Sequence, residues 1–250
     1  MALDKAALLD ELTRNAPRST SGPKLTPRDA ATLIVIDRSG REPAVLFGRR
    51  HPGLKFMPGQ FVFPGGRIEP GDRSMTAGDD LDPRVEARLL RRMRRPTASR
   101  ARALALAAIR ETFEETGLVI GARAGAGPAK PPPSGAWSAF AAHGVAPALA
   151  RLHFVARAIT PPGRPKRFDT RFFAVDADAV AHRVEGVVGP DAELVELVWK
   201  PLSQVQTLDL PAITRVILRE LDERIAAGFS ADLAAPFYHE RFGRRLREEL

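Results

Sequence analysis

The chain has 250 residues, of which 44% are hydrophobic and 27% charged, with a formal net charge of +8 and no cysteine. This composition is ordinary for a folded globular protein, and it excludes disulfides, thiolate catalysis and cysteine-based zinc sites. The excess of Arg has two interpretations, attraction to a polyanionic ligand or a general Ala-, Arg-, Gly- and Pro-rich composition, and we favour the second. No apolar run reaches transmembrane length and no apolar signal segment begins the chain. We therefore expect a cytoplasmic protein without a membrane partner.

In chain order, residues 1–28 are predicted to form a short helix and a Ser/Pro/Gly-rich linker, residues 29–226 the main domain, and residues 227–250 a mixed tail. Apolar runs predict strands, and longer periodic patterns predict helices. The predicted strands cover residues 30–36, 43–47, 61–63, 152–160, 171–175 and 194–199, and the predicted helices cover 85–95, 99–116 and 212–226. The elements interleave without a regular βαβ repeat, which indicates an α/β fold, an α/β/α sandwich around a mixed sheet.

The most informative segment is Arg110-Glu111-Thr112-Phe113-Glu114-Glu115-Thr116-Gly117-Leu118. Three of its carboxylates, Glu111, Glu114 and Glu115, share one helix face, where like charges oppose helix formation. A hard divalent cation such as Mg²⁺ or Mn²⁺ would offset that repulsion, because it prefers carboxylate oxygen. A solvated acidic helix end is the alternative interpretation of this segment alone.

The upstream segment Gln60-Phe61-Val62-Phe63-Pro64-Gly65-Gly66-Arg67 decides between these two interpretations. It is an apolar strand that enters a Pro-Gly-Gly loop, where the backbone can approach a phosphate or a metal. Together the two segments resemble the signature of the Nudix hydrolase family. Its pattern has Glu six positions after the first glycine, where this chain has Asp72, and Arg 14 positions after it, whereas Arg110 follows Gly66 by 44 positions. The signature is thus split by a 30-residue insertion, as in the long-insertion, peroxisomal-type coenzyme A diphosphatases.

The resemblance implies a Nudix-like α/β/α sandwich with an inserted helical segment, at about residues 73–97. It also implies metal-dependent cleavage of a diphosphate. Catalytic roles fall to Glu111, Arg110 and Glu114, with Arg110 orienting the glutamates by ion pairing. The implied ligands of Mg²⁺ or Mn²⁺ are Glu111, Glu114, Glu115 and the backbone carbonyl of Gly66. The general base stays open, and Glu193 and Glu196 are interpreted as strand-edge surface residues.

A second resemblance concerns the substrate. The segment Leu46-Phe47-Gly48-Arg49-Arg50 with Lys55 and Gly59 partly matches the motif of coenzyme A-cleaving Nudix proteins, with the same spacing but Lys55 in place of Arg. Basic side chains suit the phosphates of such a ligand. We predict that the substrate contacts Arg49, Arg50, Lys55, Arg67 and Arg171. For Arg49 and Arg50, continuation of a strand into solvent is the alternative.

The expected reaction converts coenzyme A or acyl-coenzyme A to 3′,5′-ADP and (acyl)phosphopantetheine. Two alternatives remain open: a Nudix diphosphatase acting on NADH, ADP-ribose or capped RNA, and a non-catalytic nucleotide-sensing Nudix module. We expect a small-molecule nucleotide partner of the coenzyme A type, do not expect nucleic acid, and leave a homodimer open. For the basic segment 85–95, packing beside the domain is the preferred role, ahead of contact with substrate phosphates or a dimer surface.

Overall fold

The structure, a computed structural model, describes residues 4–14, 25–125, 131–230 and 232–250. Six α-helices lie in these ranges: α1 (Lys5–Arg14), α2 (Pro70–Ser74), α3 (Pro83–Leu90), α4 (Ala98–Thr116), α5 (Ala136–Ala142) and α6 (Ala212–Ala226). Two short 3-10 helices cover Ala177–Ala179 and Leu202–Thr207. The strands are β1 (Arg28–Asp37), β2 (Ala44–Arg50), β3 (Phe61–Val62), β4 (Gly65–Arg67), β5 (Leu118–Ile120), β6 (Ala122–Arg123), β7 (Val145–Ala146), β8 (His153–Ile159), β9 (Phe168–Asp176), β10 (Val180–Arg183), β11 (Leu194–Pro201), β12 (Pro236–Arg241) and β13 (Arg244–Glu249).

A mixed sheet occupies the centre of the molecule. Its main path runs β11-β2-β1-β9-β8-β12-β13, with β3 added to β2 and β4 added to β1. The pairs β1–β9 and β8–β12 are parallel, and the remaining pairs are antiparallel. Alternate residues of β1 enter two separate cores, Leu33 and Val35 on the side of α4, and Ile34 and Ile36 on the side of α6. A strand buried on both faces requires a continuous apolar run, as the sequence of β1 shows.

Helices cover both faces of the sheet, which confirms the predicted α/β/α sandwich with a mixed sheet. On one face, called here the α4 face, α4 packs against β1 and contacts α2, α3 and α5. On the other, the α6 face, α6 lies against β8, and α1 packs on α6. Helix α6 has the predicted bounds, because its apolar residues recur with helical spacing. No helix of the described ranges is both long enough and apolar enough to cross a membrane.

The inserted segment is part of the α4-face core. Leu81, Leu89 and Met93 are buried in it. The predicted helix over 85–95 is wrong at both ends, because α3 begins at Pro83 behind its N-cap Asp82 and ends at Leu90. Beyond Leu90 the chain turns through two residues in the left-handed region, Arg92 (φ 53°) and Arg95 (φ 55°). Arg95 precedes Pro96, and a residue before proline is disfavoured in the helical region.

Residues 227–250, predicted to be a mixed tail, contain two strands. They form the hairpin β12–β13, in which Pro236 pairs with Glu249 and Arg241 with Arg244. Strand β12 joins the central sheet through a parallel pairing with β8, where Phe237 lies beside Arg157. The boundary placed at residue 227 therefore does not separate a segment from the sheet.

Candidate active site

The two halves of the split signature meet at the end of α4. A Cβ atom added to Gly66 would lie 2.3 Å from Glu111 Oε1, so the Glu111 carboxylate occupies the space above this glycine. Gly66 is held there by β4, which pairs with β1 and places Gly66 beside Ala31. Helix α4 ends at the C-cap Gly117, whose φ of 76° suits glycine. The fold thus brings together two segments that lie 44 residues apart, Gly66 and Arg110.

Arg110 is the buried centre of this junction. Its guanidinium forms a two-point contact with Asp72, with Nε donating to Oδ1 at 2.8 Å and Nη2 to Oδ2 at 3.1 Å. Nη2 also donates to the Arg67 carbonyl at 2.7 Å, and Nη1 donates to Glu114 Oε2 at 2.5 Å. Glu111 Oε1 lies 3.0 Å from Nη2. One cation therefore fixes α2, β4 and two of the predicted glutamates, which agrees with the orienting role expected of Arg110.

The carboxylates of Glu111 and Glu115 are desolvated. Burial raises the pKa of Glu111 to about 7, although the Arg110 charge acts in the opposite direction. Burial also raises the pKa of Glu115 well above its usual range, and the neighbouring charges of Glu193 and Glu111 raise it further, whereas Arg50 and the Gly65 N–H oppose the shift. Glu115 Oε2 is buried without a hydrogen-bond partner among the described residues. A carboxylate in this state is stabilised by a cation.

The donor set suits a hard divalent cation, because it consists of carboxylate oxygens and includes the unpartnered Glu115 Oε2. The side chains do not surround one point, however. Within the described ranges, no three acidic or histidine side chains converge closely enough to hold an ion. Glu111 and Glu114 are directed at Arg110 instead. The cation assignment therefore depends on the chemistry of the donors, and the predicted set of Glu111, Glu114, Glu115 and Gly66 stays a prediction.

Arg50 is the predicted substrate residue whose charge acts on the Glu115 carboxylate. Its Nε donates to the Phe56 carbonyl at 3.0 Å, and Nη1 pairs with Glu193 Oε1 at 2.8 Å. The pairing of β11 with β2, in which Leu194 lies beside Arg50, carries Glu193 to this position. Glu193 is half-exposed and close enough to Glu115 to raise its pKa. The interpretation of Glu193 as an ordinary strand-edge residue overlooked this contact.

The other predicted substrate residues lie outside this cluster. Arg49 pairs with Glu196 at 3.1 Å on the surface. Lys55 and Arg67 are exposed, and the carbonyl of Arg67, rather than its side chain, contacts Arg110.

Arg171 differs most from its prediction, because its side chain is 0% exposed. Its guanidinium contacts Asp29 at 3.2 Å and Asp169 at 3.0 Å on the α4 face. Burial lowers its pKa to about 10. The predicted contact between Arg171 and the substrate is therefore wrong, because it would require this buried guanidinium to reach solvent. Arg171 instead belongs to an internal ion-pair network. Asp29 also pairs with Arg100, and Asp169 with Arg157.

A cavity of about 760 Å³ opens on the α6 face next to the two glycines of β4. Its wall contains Gly65, Gly66 and Arg50 near the carboxylates. Much of the remaining wall is apolar, with residues from α1, β8, β9, α6 and the segments on either side of β3 that include Leu9, Leu12, Phe56, Met57, Phe63, Ile159, Phe168, Phe172 and Ile213. Basic side chains also line it, namely Arg164, Lys166, Arg215 and Arg245. Its size falls in the range of small-molecule binding sites.

Sequence reasoning missed two residues of the cluster. Asp72 was noted only as a departure from the family pattern, yet it is fully buried and is the two-point partner of Arg110. Its position six residues after Gly66 was the available signal, since Asp and Glu carry the same charge. For Glu193 the available signal was weaker, because its contact with Arg50 joins residues 143 positions apart.

Solved structures provide the comparison. A NUDIX hydrolase from Alicyclobacillus acidocaldarius has a TM-score of 0.62 and 29% identity, over 85% of this chain and 99% of that chain. A Nudix hydrolase from M. smegmatis, RenU, gives a TM-score of 0.43 and 19% identity, over 84% and 92%. The NUDIX domain of Shewanella oneidensis NrtR, complexed with ADP ribose, gives 0.44 and 13%, over 89% and 99%. No family model matches the chain, and no curated protein matches it.

The chain has the Nudix fold. Together with the carboxylate cluster, its likeness to the Alicyclobacillus protein supports the class of hydrolases that act on phosphorus-containing anhydrides. The same likeness, together with the reunited signature of Gly66 and Arg110 to Leu118, supports the Nudix family for this chain.

Proposed function

We propose that this protein is a metal-dependent diphosphatase that cleaves coenzyme A or acyl-coenzyme A to 3′,5′-ADP and (acyl)phosphopantetheine. The observation that carries the proposal is the cavity that begins at Gly65 and Gly66 and continues along an apolar wall. A diphosphate held beside Glu111 and Glu115 would leave one arm of the substrate to fill this space. The apolar wall suits the hydrocarbon chain of an acyl-coenzyme A better than the terminal ribose of ADP-ribose, because a buried sugar would leave hydroxyl groups without partners.

Basic side chains support the same assignment. Arg50, Arg164 and Lys166 line the cavity and could neutralise the phosphates of the substrate. Lys166 also lies in the segment after Ile159-Thr160-Pro161-Pro162, which resembles the coenzyme A branch of the family. Arg49, Lys55 and Arg67 are exposed and do not line the cavity, and they remain proposed substrate contacts.

The cation would be held by Glu115 with Glu111 and Glu114, and the Gly66 carbonyl is proposed as a further ligand. When bound, Mg²⁺ or Mn²⁺ neutralises charge on the diphosphate and lowers the pKa of water. Arg110 holds Glu111 and Glu114 in position through the contacts described above. Positioning and charge neutralisation are the main requirements for phosphoryl transfer, and this cluster would provide both.

We propose that Glu193 is the general base that accepts a proton from the attacking water. Water attacks phosphorus, the bridging P–O bond breaks, and the proton passes to the Glu193 carboxylate. Glu193 is half-exposed, so water can reach it, and its pairing with Arg50 places it beside the cavity wall. Glu196 offers a matched control, because it is about as exposed as Glu193 and also pairs with an arginine of β2, but that arginine, Arg49, does not line the cavity.

The test is hydrolysis of coenzyme A, acyl-coenzyme A, NADH, ADP-ribose and a capped RNA fragment in parallel, with Mg²⁺ or Mn²⁺ and detection of 3′,5′-ADP. We expect preferential release of 3′,5′-ADP, its loss in Glu115→Gln, a large fall in kcat in Glu193→Gln, and near wild-type turnover in Glu196→Gln. Titration of Mn²⁺ followed by electron paramagnetic resonance should show weaker binding by Glu115→Gln, independently of activity.

Other outcomes would separate the alternatives. Turnover of NADH, ADP-ribose or capped RNA in place of coenzyme A would overturn the substrate assignment and leave the cation chemistry standing. Binding of nucleotides with no turnover of any substrate would replace the enzyme with a nucleotide-sensing module. Equal losses of kcat in Glu193→Gln and Glu196→Gln would contradict the assignment of Glu193 as the general base.

A further inference from the structure

The hairpin β12–β13 ends in an exposed aromatic residue. Its two-residue turn is Phe242-Gly243, with φ of 51° and 73°. Positive φ at both central residues matches the turn type that favours Asn-Gly, and a bulky residue is rare at the first position. Phe242 is nevertheless 90% exposed, so packing against the rest of the protein does not explain it. A strained, exposed phenylalanine is a reason to look for a binding function.

Positive charge surrounds this ring. The Arg241 guanidinium lies 5.1 Å from the ring centroid of Phe242, and Arg244, which pairs with Arg241 across the turn, is exposed. Further along the hairpin, Glu248 pairs with Arg92 at 3.0 Å. That contact brings the turn after α3 to the side of the hairpin, and four of its residues are exposed arginines, Arg91, Arg92, Arg94 and Arg95.

We propose that the hairpin tip, defined as Arg241 to Arg244, docks on an anionic lipid surface. The Phe242 ring would enter the headgroup region, where amphipathic and aromatic side chains are stable. Arg241 and Arg244 would meet lipid phosphates, and the arginines of residues 91–95 would add long-range attraction. The inference departs from the sequence-based expectation of no membrane partner, which rested on the lack of a spanning segment.

The shape of the tip favours a lipid surface over a macromolecule. Among the described residues, the exposed large hydrophobic side chains are Leu25, Trp199 and Phe242, so no broad apolar patch accompanies the tip. A stable protein interface buries about 800 Å² on each partner, which is more than one exposed ring and its two flanking arginines provide. Single-stranded nucleic acid is bound by several aromatic side chains in a row, and the tip has one.

The tip also belongs to a hairpin that lines the cavity. His239, Arg245 and Leu246 of the same hairpin line the cavity wall. Docking would therefore bring the cavity close to a surface that holds lipophilic molecules. The use of this proximity for an acylated substrate rests on the proposed function, whereas docking itself does not.

The experiment measures co-flotation of the full chain with large unilamellar vesicles of phosphatidylcholine, with and without 30 mol% phosphatidylglycerol (about one anionic lipid in three). The test variants are Phe242→Asn, which installs the residue that the turn favours, and the double variant Arg241→Gln/Arg244→Gln. Control variants are Trp199→Ser, for loss of an exposed aromatic residue, and Arg183→Gln, for loss of an exposed charge. Melting temperatures verify that every variant is folded.

We expect wild-type binding to the anionic vesicles only. Each arginine near an anionic surface contributes a factor of roughly five to partitioning, so the double variant should bind roughly 25-fold more weakly. Phe242→Asn should bind several-fold more weakly while melting no lower than wild type. A Phe242→Trp variant should bind like wild type, and its fluorescence should be quenched by brominated lipid chains.

Three results would overturn the proposal: no wild-type binding to anionic vesicles, equal binding by wild type and Phe242→Asn, or no quenching in Phe242→Trp. Binding of an oligonucleotide with the same dependence on Phe242, without binding to vesicles, would also overturn it. Because catalysis is not measured, failure here would leave the proposed hydrolase function untouched.

Discussion

Alanine in place of Gly66 would test whether the position of Glu111 matters. The added Cβ would lie 2.3 Å from Glu111 Oε1, whereas an ordinary contact is 3.4 Å or longer, so the carboxylate must move by about 1 Å. A displacement of about 1 Å in a catalytic constellation can reduce the rate about 10²-fold. The atoms that must move are the end of a flexible side chain, and Gly66 does not have positive φ. The free energy of unfolding should therefore change by less than about 1 kcal/mol.

The neighbouring glycine provides the matched control. A Cβ added to Gly65 would lie 2.6 Å from the Ala31 carbonyl oxygen and 2.8 Å from Thr32 Cα, which are backbone atoms. Gly65→Ala should therefore destabilise the fold by about 1–3 kcal/mol, as overpacking does. In a chain of this size that corresponds to a fall in Tm of about 2–12 °C.

The assay combines kcat for a diphosphate substrate, measured with saturating Mg²⁺, with Tm from differential scanning fluorimetry. Gly66→Ala should lose about 10²-fold in kcat with a nearly unchanged Tm, and Gly65→Ala should show a clear loss of Tm. The reasoning is refuted if Gly66→Ala keeps more than about half of the wild-type kcat, since a shift of about 1 Å predicts far more, or if its Tm falls as far as that of Gly65→Ala.

Three further predictions concern buried charges. Asp72→Asn should lower the free energy of unfolding by about 3–5 kcal/mol, because it breaks a buried ion pair with Arg110; a chemical denaturation midpoint close to wild type would contradict this. Burial lowers the pKa of His153, with Asp176 opposing, so the folded state resists protonation. The free energy of unfolding of His153→Gln relative to that of wild type should therefore increase as pH falls below about 6.5 and stay constant above it, and Tm differences that do not change with pH would refute this. Arg171→Met should leave KM unchanged, because the guanidinium is buried, but should lower the free energy of unfolding by up to about 3–5 kcal/mol, since it leaves the largely buried carboxylates of Asp29 and Asp169 each without one cationic partner; a several-fold rise in KM would restore its predicted contact with substrate.

The parts of the fold that were predictable have local signals. The apolar run of β1 and the periodic apolar residues of α6 specify their own structure, because burial on two faces or on one stripe requires those patterns. The signature residues Glu111, Glu114 and Glu115 were found in the same way, from spacing within one helix. The orienting role of Arg110 and the link between this helix and Gly66 followed only from the family resemblance.

The misjudged parts depend on contacts between distant segments. Strand β13 reads Arg244-Arg245-Leu246-Arg247-Glu248-Glu249, which is too charged to predict a strand. It forms because β12 finds β8 in parallel register across the chain. The burial of Arg171 likewise depends on Asp29, which lies 142 positions away. Nothing in the sequence near either residue reports that pairing.

The split between Gly66 and Arg110 also has a consequence during protein synthesis. Chains elongate at about 5–20 residues per second, so Arg110 leaves the ribosome roughly 2–9 s after Gly66. Glu193 follows Arg50 by 143 residues, an interval of roughly 7–29 s. Until Arg110 and the residues after it have been synthesised, the Gly66 loop has no carboxylate helix to meet. The cation proposed above could therefore bind its full set of donors only after α4 has followed the glycine loop.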